Sequence, residues 1–298
     1  MKKSIFAVLM AGMMAAGLTA GTVQASEEPT EELSGEVYVF IAASLSNAME
    51  EIQKNFNGQY PDVEILYNAD SSGTLQTQIE EGSRCDIFFS AATKQMDALV
   101  EEGLAEEDTV TDLLENKVVL IKPTGGETAV TGFENITDAA NLALAGESVP
   151  VGQYAREIFT NMGMMDQVEA MEINEGKNVT EVLAAVAEGS NEVGIVYATD
   201  AASVADQVEI IAEAPADALQ TPVLYPVGMI TDQEASEGEI AAAEAFLAYL
   251  KTDEALAVFE DYGFSPYTAE DVEEAEEAVE ETAEDSEEAA EETEETAE

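Results

Sequence analysis

The 298-residue chain carries 64 Asp and Glu against 10 Lys and Arg, a formal net charge of −54, with no histidine and a single cysteine. Binding nucleic acid through its phosphates needs clustered Lys and Arg, which this balance excludes. Without histidine, Ser-His-Asp and Cys-His catalysis and the usual zinc sites are excluded as well.

The first 25 residues, "MKKSIFAVLMAGMMAAGLTAGTVQA", combine two lysines, an apolar run and a Val23-Gln24-Ala25 ending. That arrangement reads as a secretory signal peptide cut after Ala25, so the protein is expected to be exported, periplasmic or on the outer side of the cell membrane. A lipid anchor would require a cysteine after "LTAG", where Thr22 stands. Export would permit disulfides, but Cys85 has no partner in the chain, and its apolar setting "CDIFFSA" reads as a buried thiol.

From Val37 the run "VYVFIAA" is continuously apolar, as a buried parallel strand should be, and Ser44 follows it at once. Leu45, Met49, Ile52 and Phe56 then fall at helical spacing, which places Ser44 at an N-cap. The unit repeats. "VEILYNA" reads as a strand, "DSSG" as a junction, and Leu75, Gln78 and Ile79 as a helix closing near Gly82. A third strand, "DIFFSAA", precedes a helix with Met96, Leu99 and Val100, and a fourth, "KVVLIKP", precedes the loop "PTGGETAVTG".

The segment "VPVGQYAREIFTNMG" reads as a short strand, a turn at Pro150-Val151-Gly152 and a helix. "NVTEVLAAVAEG" is a helix with Val179 in its first turn, and the strand "EVGIVYATDA" delivers Tyr197 at its end. Strands "VEIIAEAP" and "TPVLYPVGMI" and helices from about Glu239 to Phe259 complete the core. Alternation of this kind specifies an α/β fold, long enough for two lobes. The last 29 residues hold 17 acidic residues and no basic or aromatic one, which reads as a disordered acidic tail.

Ligands of such sheets lie beyond the carboxyl ends of strands, where helix N-termini present free amides. Ser44, Ser72, Val151, Val179 and Tyr197 all fall at such places. Singly, each has a plain structural explanation: a cap for the serines, a satisfied core hydroxyl for Tyr197, ordinary packing for the valines. Nucleophilic serine chemistry finds no base, since G-x-S-x-G and, after residue 25, S-x-x-K are absent. Carboxylate catalysis stays open by count alone.

Taken in order, "VFIAASLSNAMEEI", "SSGTLQTQIEEG", "CDIFFSAATKQMDALVEEGL", "PVGQYAREIF", "VGIVYATDA" and "YGFSP" resemble the molybdate-binding proteins of ABC importers, over about Glu36 to Ser265. The resemblance implies a two-lobed type II periplasmic-binding-protein fold, each lobe a mainly parallel sheet flanked by helices, with the ligand in the cleft. It divides the core between the signal peptide, 1–25, and the tail, 269–298, into a first lobe, 34–116 and 226–268, and a second lobe, 117–225, while the acidic tail lies outside the family pattern.

Carried over motif by motif, the resemblance implies that Ser44 and Ser72 offer hydroxyls and amides, Val151 and Val179 backbone amides, and Tyr197 its hydroxyl. The ligand would be molybdate or tungstate as an oxyanion, with no direct metal ligation and no cofactor. The partner would be a membrane permease, and the protein a monomer that is not an enzyme. Val151 stands where relatives often have alanine, and Asp70 is a charge beside the site loop. Removing the Ser72 or Tyr197 hydroxyl is expected to cost affinity and leave stability unchanged. A receptor for another tetrahedral oxyanion such as sulfate, or an exported carboxylate-dependent enzyme, are the alternatives.

Overall fold

The computed structural model describes residues 33–215, 218–231 and 235–267. The expected signal peptide and acidic tail lie outside the described residues. Each sequence unit "apolar run, small polar junction, amphipathic run" becomes a strand, a junction and a helix. β1 (Gly35–Ala42) leads to α1 (Ser46–Gln59), which buries Ala48, Met49, Ile52 and Phe56. β2 (Val63–Asp70) leads to α2 (Ser72–Glu80), and β3 (Ile87–Phe89) to α3 (Thr93–Glu101).

β4 (Thr111–Asn116) joins the same sheet, and the chain then crosses into a second one. That sheet holds β5 (Val118–Pro123), β6 (Leu142–Ala145), β7 (Ile173–Gly176), β8 (Val193–Tyr197) and β9 (Val208–Glu213). Its helices are α4 (Pro150–Asn161), α5 (Met165–Glu169), α6 (Val179–Ala187) and α7 (Ala198–Ser203). β10 (Val223–Met229) returns to the first sheet, followed by α8 (Glu237–Leu250), α9 (Asp253–Asp261) and β11 (Ser265–Pro266). The strand orders are β11-β4-β10-β3-β1-β2 and β7-β6-β8-β5-β9.

The α/β two-lobed architecture is thus present, with a correction to the sheets, which are mixed rather than mainly parallel. β1 pairs parallel with β2 and β3, whereas β10 is antiparallel to β3 and β4. In the second sheet β6 is parallel to β7 and β8, and β5 is antiparallel to β8 and β9. The reason is the double crossing. A strand entering a lobe from the crossing starts at the cleft edge, so it runs opposite to the strands whose ends form that edge.

The expected lobe break after residue 225 falls inside β10, all of which pairs within the first sheet; the chain leaves the second sheet after Glu213, the end of β9, and rejoins the first at Val223. Four strands, β4, β6, β7 and β11, escaped the sequence pattern. β6 is "LALA", a composition that favours helix, and it becomes a strand because it is buried between β7 and β8. β4, "TDLLEN", has no clean alternation. Aromatic packing fills both lobes: Phe56 meets Phe246 edge-on at 4.9 Å in one, and Phe133 meets Phe159 at 6.0 Å in the other.

Register is what builds the cleft wall. Ala42 pairs with Asp70, and Ile41 with Phe89, so Ser44, Ser72 and Ala91, each two residues past a paired strand position, emerge together. On the facing lobe Ala145 pairs with Gly176, three residues before Val179. Val118 pairs with Tyr197, placing that tyrosine beside the crossing.

Candidate functional site

Ser44, Ser72, Val151, Val179 and Tyr197 line one cavity, together with Ala42, Ala43, Asp70, Ser71, Ala91, Val149 and Pro150. The sequence thus picked out five positions that the tertiary structure brings to one place. No Lys or Arg lines it. Among the described residues no group of three or more Cys, Asp or Glu is arranged to hold a metal ion.

The α2 junction has a division of labour between two adjacent serines. Ser71 is the N-cap, its Oγ accepting from the Thr74 amide at 3.2 Å, so its hydroxyl is occupied by the helix. Ser72 is the first helical residue, and its amide and that of Gly73 have no intrahelical partner. The buried Ser72 Oγ accepts from the Ala91 amide at 3.0 Å, which leaves its own proton free to donate. Gly73 is required by space: a Cβ there would overlap the backbone carbonyl oxygen of Ser148, at the foot of the facing helix α4.

Ser44 departs from its expected role. It lies inside a 3-10 turn, Ala43–Leu45, that precedes α1, and its side chain caps no helix. The chain begins to wind one residue early, so the hydroxyl turns sideways to Tyr225 Oη, 3.0 Å away.

On the facing lobe the expected turn at Pro150-Val151-Gly152 is instead the first turn of α4, with Pro150 at its first position. Proline is pre-organised there and its missing N–H is no loss, so the amides of Val151 and Gly152 emerge at the helix start. Val179 opens α6 behind the Asn178 cap, whose side chain accepts from the Glu181 amide at 3.0 Å. The Val179 amide is therefore free as well.

Tyr197 is buried at the end of β8, and burial pushes its phenol well above the usual tyrosine range. It is a protonated donor at neutral pH, and its hydroxyl lies 3.4 Å from the Ala91 carbonyl. The two lobes also meet through Asn178 Nδ2, which donates to Asp70 Oδ1 at 3.2 Å. Asp70 Oδ1 further accepts from the Ser71 amide at 2.8 Å, so the carboxylate that faced the site loop in sequence is engaged by donors.

Sequence reasoning missed the residues behind this wall. Asn116, at the end of β4, donates through Nδ2 to Thr199 Oγ1 (2.9 Å) and Tyr225 Oη (3.1 Å). Tyr225 lies mid-strand in β10, against the Tyr197 ring at 5.7 Å. Asp200 is buried below Tyr197, accepting from its amide at 3.2 Å, and burial pushes its carboxyl up to about 7. None has a local signal, since each is polar only against a background that the fold supplies.

Known proteins share this architecture. The profile of a family described as bacterial extracellular solute-binding proteins matches residues 37–265. YvgL of Bacillus subtilis, which carries the name of an ABC transporter substrate-binding lipoprotein, is 39% identical over 89% of this chain and 98% of its own. The molybdate-binding protein ModA of Haemophilus influenzae is 36% identical over 78% of this chain and 91% of its own. Among solved structures, the periplasmic molybdate-binding protein of Azotobacter vinelandii superposes with a TM-score of 0.66 at 21% identity, covering 78% of this chain and 100% of the other.

Proposed function

Since the chain belongs to the bacterial extracellular solute-binding proteins, we propose that it captures molybdate, and tungstate with similar affinity, in the cavity between its lobes and delivers it to the membrane permease of an ABC importer. The observation that carries this reading is the convergence of Ser44, Ser72, Val151, Val179 and Tyr197 on one cavity whose wall has no basic side chain. The name of the H. influenzae relative supports the choice of ligand.

The chemistry of the wall suits a dianion. Molybdate at neutral pH is fully deprotonated and can only accept hydrogen bonds. Three hydroxyls and the free amides of three helix starts can only gain by donating to it, each charge-assisted bond being worth roughly 1.5–3 kcal/mol. With a net charge of −54, long-range attraction plays no part, and recognition rests on short directed bonds. Hydrogen phosphate brings a proton that the backbone amides of the wall cannot accept. Sulfate is separated from molybdate by size, and tungstate hardly at all.

Binding by closure implies that the ligand bridges donors on both lobes and stabilises their contact. Calorimetric titration of the exported protein with molybdate, tungstate, sulfate and hydrogen phosphate tests the assignment. Tight, comparable binding of the first two and much weaker binding of the others is expected. Preference for sulfate would transfer the site to that anion, and binding of none would remove the oxyanion reading altogether.

A further inference from the structure

Resting on that reading, we infer that Asn116 and Tyr225 act as positioning residues: they form a hydrogen-bond relay that fixes the Ser44 hydroxyl as a donor toward the bound anion. A lone serine hydroxyl has one proton and two lone pairs and can present either to its neighbour. The direction of this relay, however, is determined from its far end.

The Lys117 amide donates to Asn116 Oδ1 at 2.8 Å. An amide nitrogen cannot accept that bond, so the carboxamide is locked with Nδ2 facing inward. Its two protons go to Thr199 Oγ1 and to Tyr225 Oη. Tyr225 is fully buried, with burial holding its phenol well above the usual range, so it carries its proton at any physiological pH. Its oxygen accepts from Asn116, and Ser44 Oγ lies 3.0 Å away; in the relay Tyr225 is the donor of that pair. With an acceptor position of Ser44 Oγ thus filled, its own proton is directed to the cavity that it lines.

The relay also begins at the crossing. Asn116 ends β4 and Lys117 is the residue between the sheets, while Thr199 belongs to α7 of the second lobe. The same carboxamide thus bonds to one lobe through Thr199 and to the other through Tyr225. An arrangement of the crossing that breaks the Lys117 or Thr199 contact releases Asn116, and the direction of the Ser44 hydroxyl is lost with it.

A double-mutant cycle read by molybdate calorimetry tests this. Tyr225→Phe keeps the ring that packs on Tyr197 and Phe264 and removes only the hydroxyl. It should weaken molybdate binding about tenfold in the native background and less than about twofold in Ser44→Ala, because the relay acts only through that hydroxyl. A general packing role would give the same loss in both backgrounds, and that result, or no loss at all, overturns the relay. Asn116→Asp supplies the second arm if Tyr225→Phe does not fold, since a carboxylate there accepts from Tyr225 and reverses the relay. Its loss must likewise shrink in Ser44→Ala, charge repulsion being common to both backgrounds. If the unsubstituted protein binds no molybdate, the functional reading falls and the relay with it; binding without coupling overturns the relay alone.

Discussion

The Ala91 amide donates to Ser72 Oγ across 3.0 Å in the buried floor of the cleft. This single bond gives Ser72 two duties, because it orients the hydroxyl as a donor and satisfies a backbone N–H that water cannot reach. Ser72→Ala is therefore expected to weaken molybdate binding by tenfold or more. It should also lower the stability of the free protein by about 1–3 kcal/mol, the usual cost of a buried donor left unpaired. That second effect reverses the sequence-based expectation that stability would be untouched. Chemical denaturation of the free protein beside calorimetry of the complex measures both; an unchanged denaturation midpoint would contradict the dual role.

Tyr197→Phe should behave differently. Its hydroxyl meets the Ala91 carbonyl only at 3.4 Å, a weak contact, while the ring carries the packing. Affinity is expected to fall by about tenfold, with the melting temperature of the free protein nearly unchanged. Equal affinity of the variant and the unsubstituted protein would remove Tyr197 from the site.

At Gly73 the two lobes approach closely. Gly73→Ala places a methyl group on the Ser148 carbonyl, which neither backbone can accommodate with the lobes together. The expected outcome is loss of molybdate binding and of the ligand-induced rise in melting temperature, with the free protein still folded, since parting of the lobes relieves the overlap. A variant that binds normally would show that the lobes need not approach this closely.

Val179 tests whether a backbone amide binds the anion. Asn178 is extended (φ −150°, ψ 174°), and Val179 is the first residue of α6, a position where proline is tolerated. Val179→Pro removes the N–H and little else, and should weaken molybdate binding about tenfold while helix content holds by circular dichroism. Val179→Ala keeps the amide and should stay within a few-fold of the unsubstituted protein. Similar affinities for both variants would exclude the amide as a donor.

Asp200 makes stability depend on pH. Burial lifts its folded pKa to about 7 from an ordinary carboxylate value, partly offset by the bond from the Tyr197 amide. Between about pH 4 and 7 the folded state therefore binds more protons than the unfolded one. Its contribution is full at the acid end and lost as pH rises through 7, by on the order of 4 kcal/mol at most. Asp200→Asn retains an acceptor for Tyr197 and should be free of that decline. Denaturation from pH 4 to 8 measures the difference between the two proteins, which cancels the other carboxylates; parallel curves would show that Asp200 does not titrate in this range.

The sequence by itself determined the alternation of strands and helices, and the helix starts at Ser72 and Val179 where amides are left over. Those are local properties: apolar run length, small polar junctions and capping residues act within a few positions of one another. It also carried, through its ordered motifs, the five positions that line the cavity. The tertiary structure alone decided the directions of the crossing strands, the strand identity of "LALA", and the side-by-side emergence of Ser44, Ser72 and Ala91 from one sheet edge. It alone brought Asn116, Thr199 and Tyr225 into line behind Ser44, although they stand far apart in the chain. The physical reason is range. Propensity and capping are summed over neighbours in sequence, whereas the polarity of a buried hydroxyl is fixed by whichever donors and acceptors the fold packs against it, and no local pattern records them.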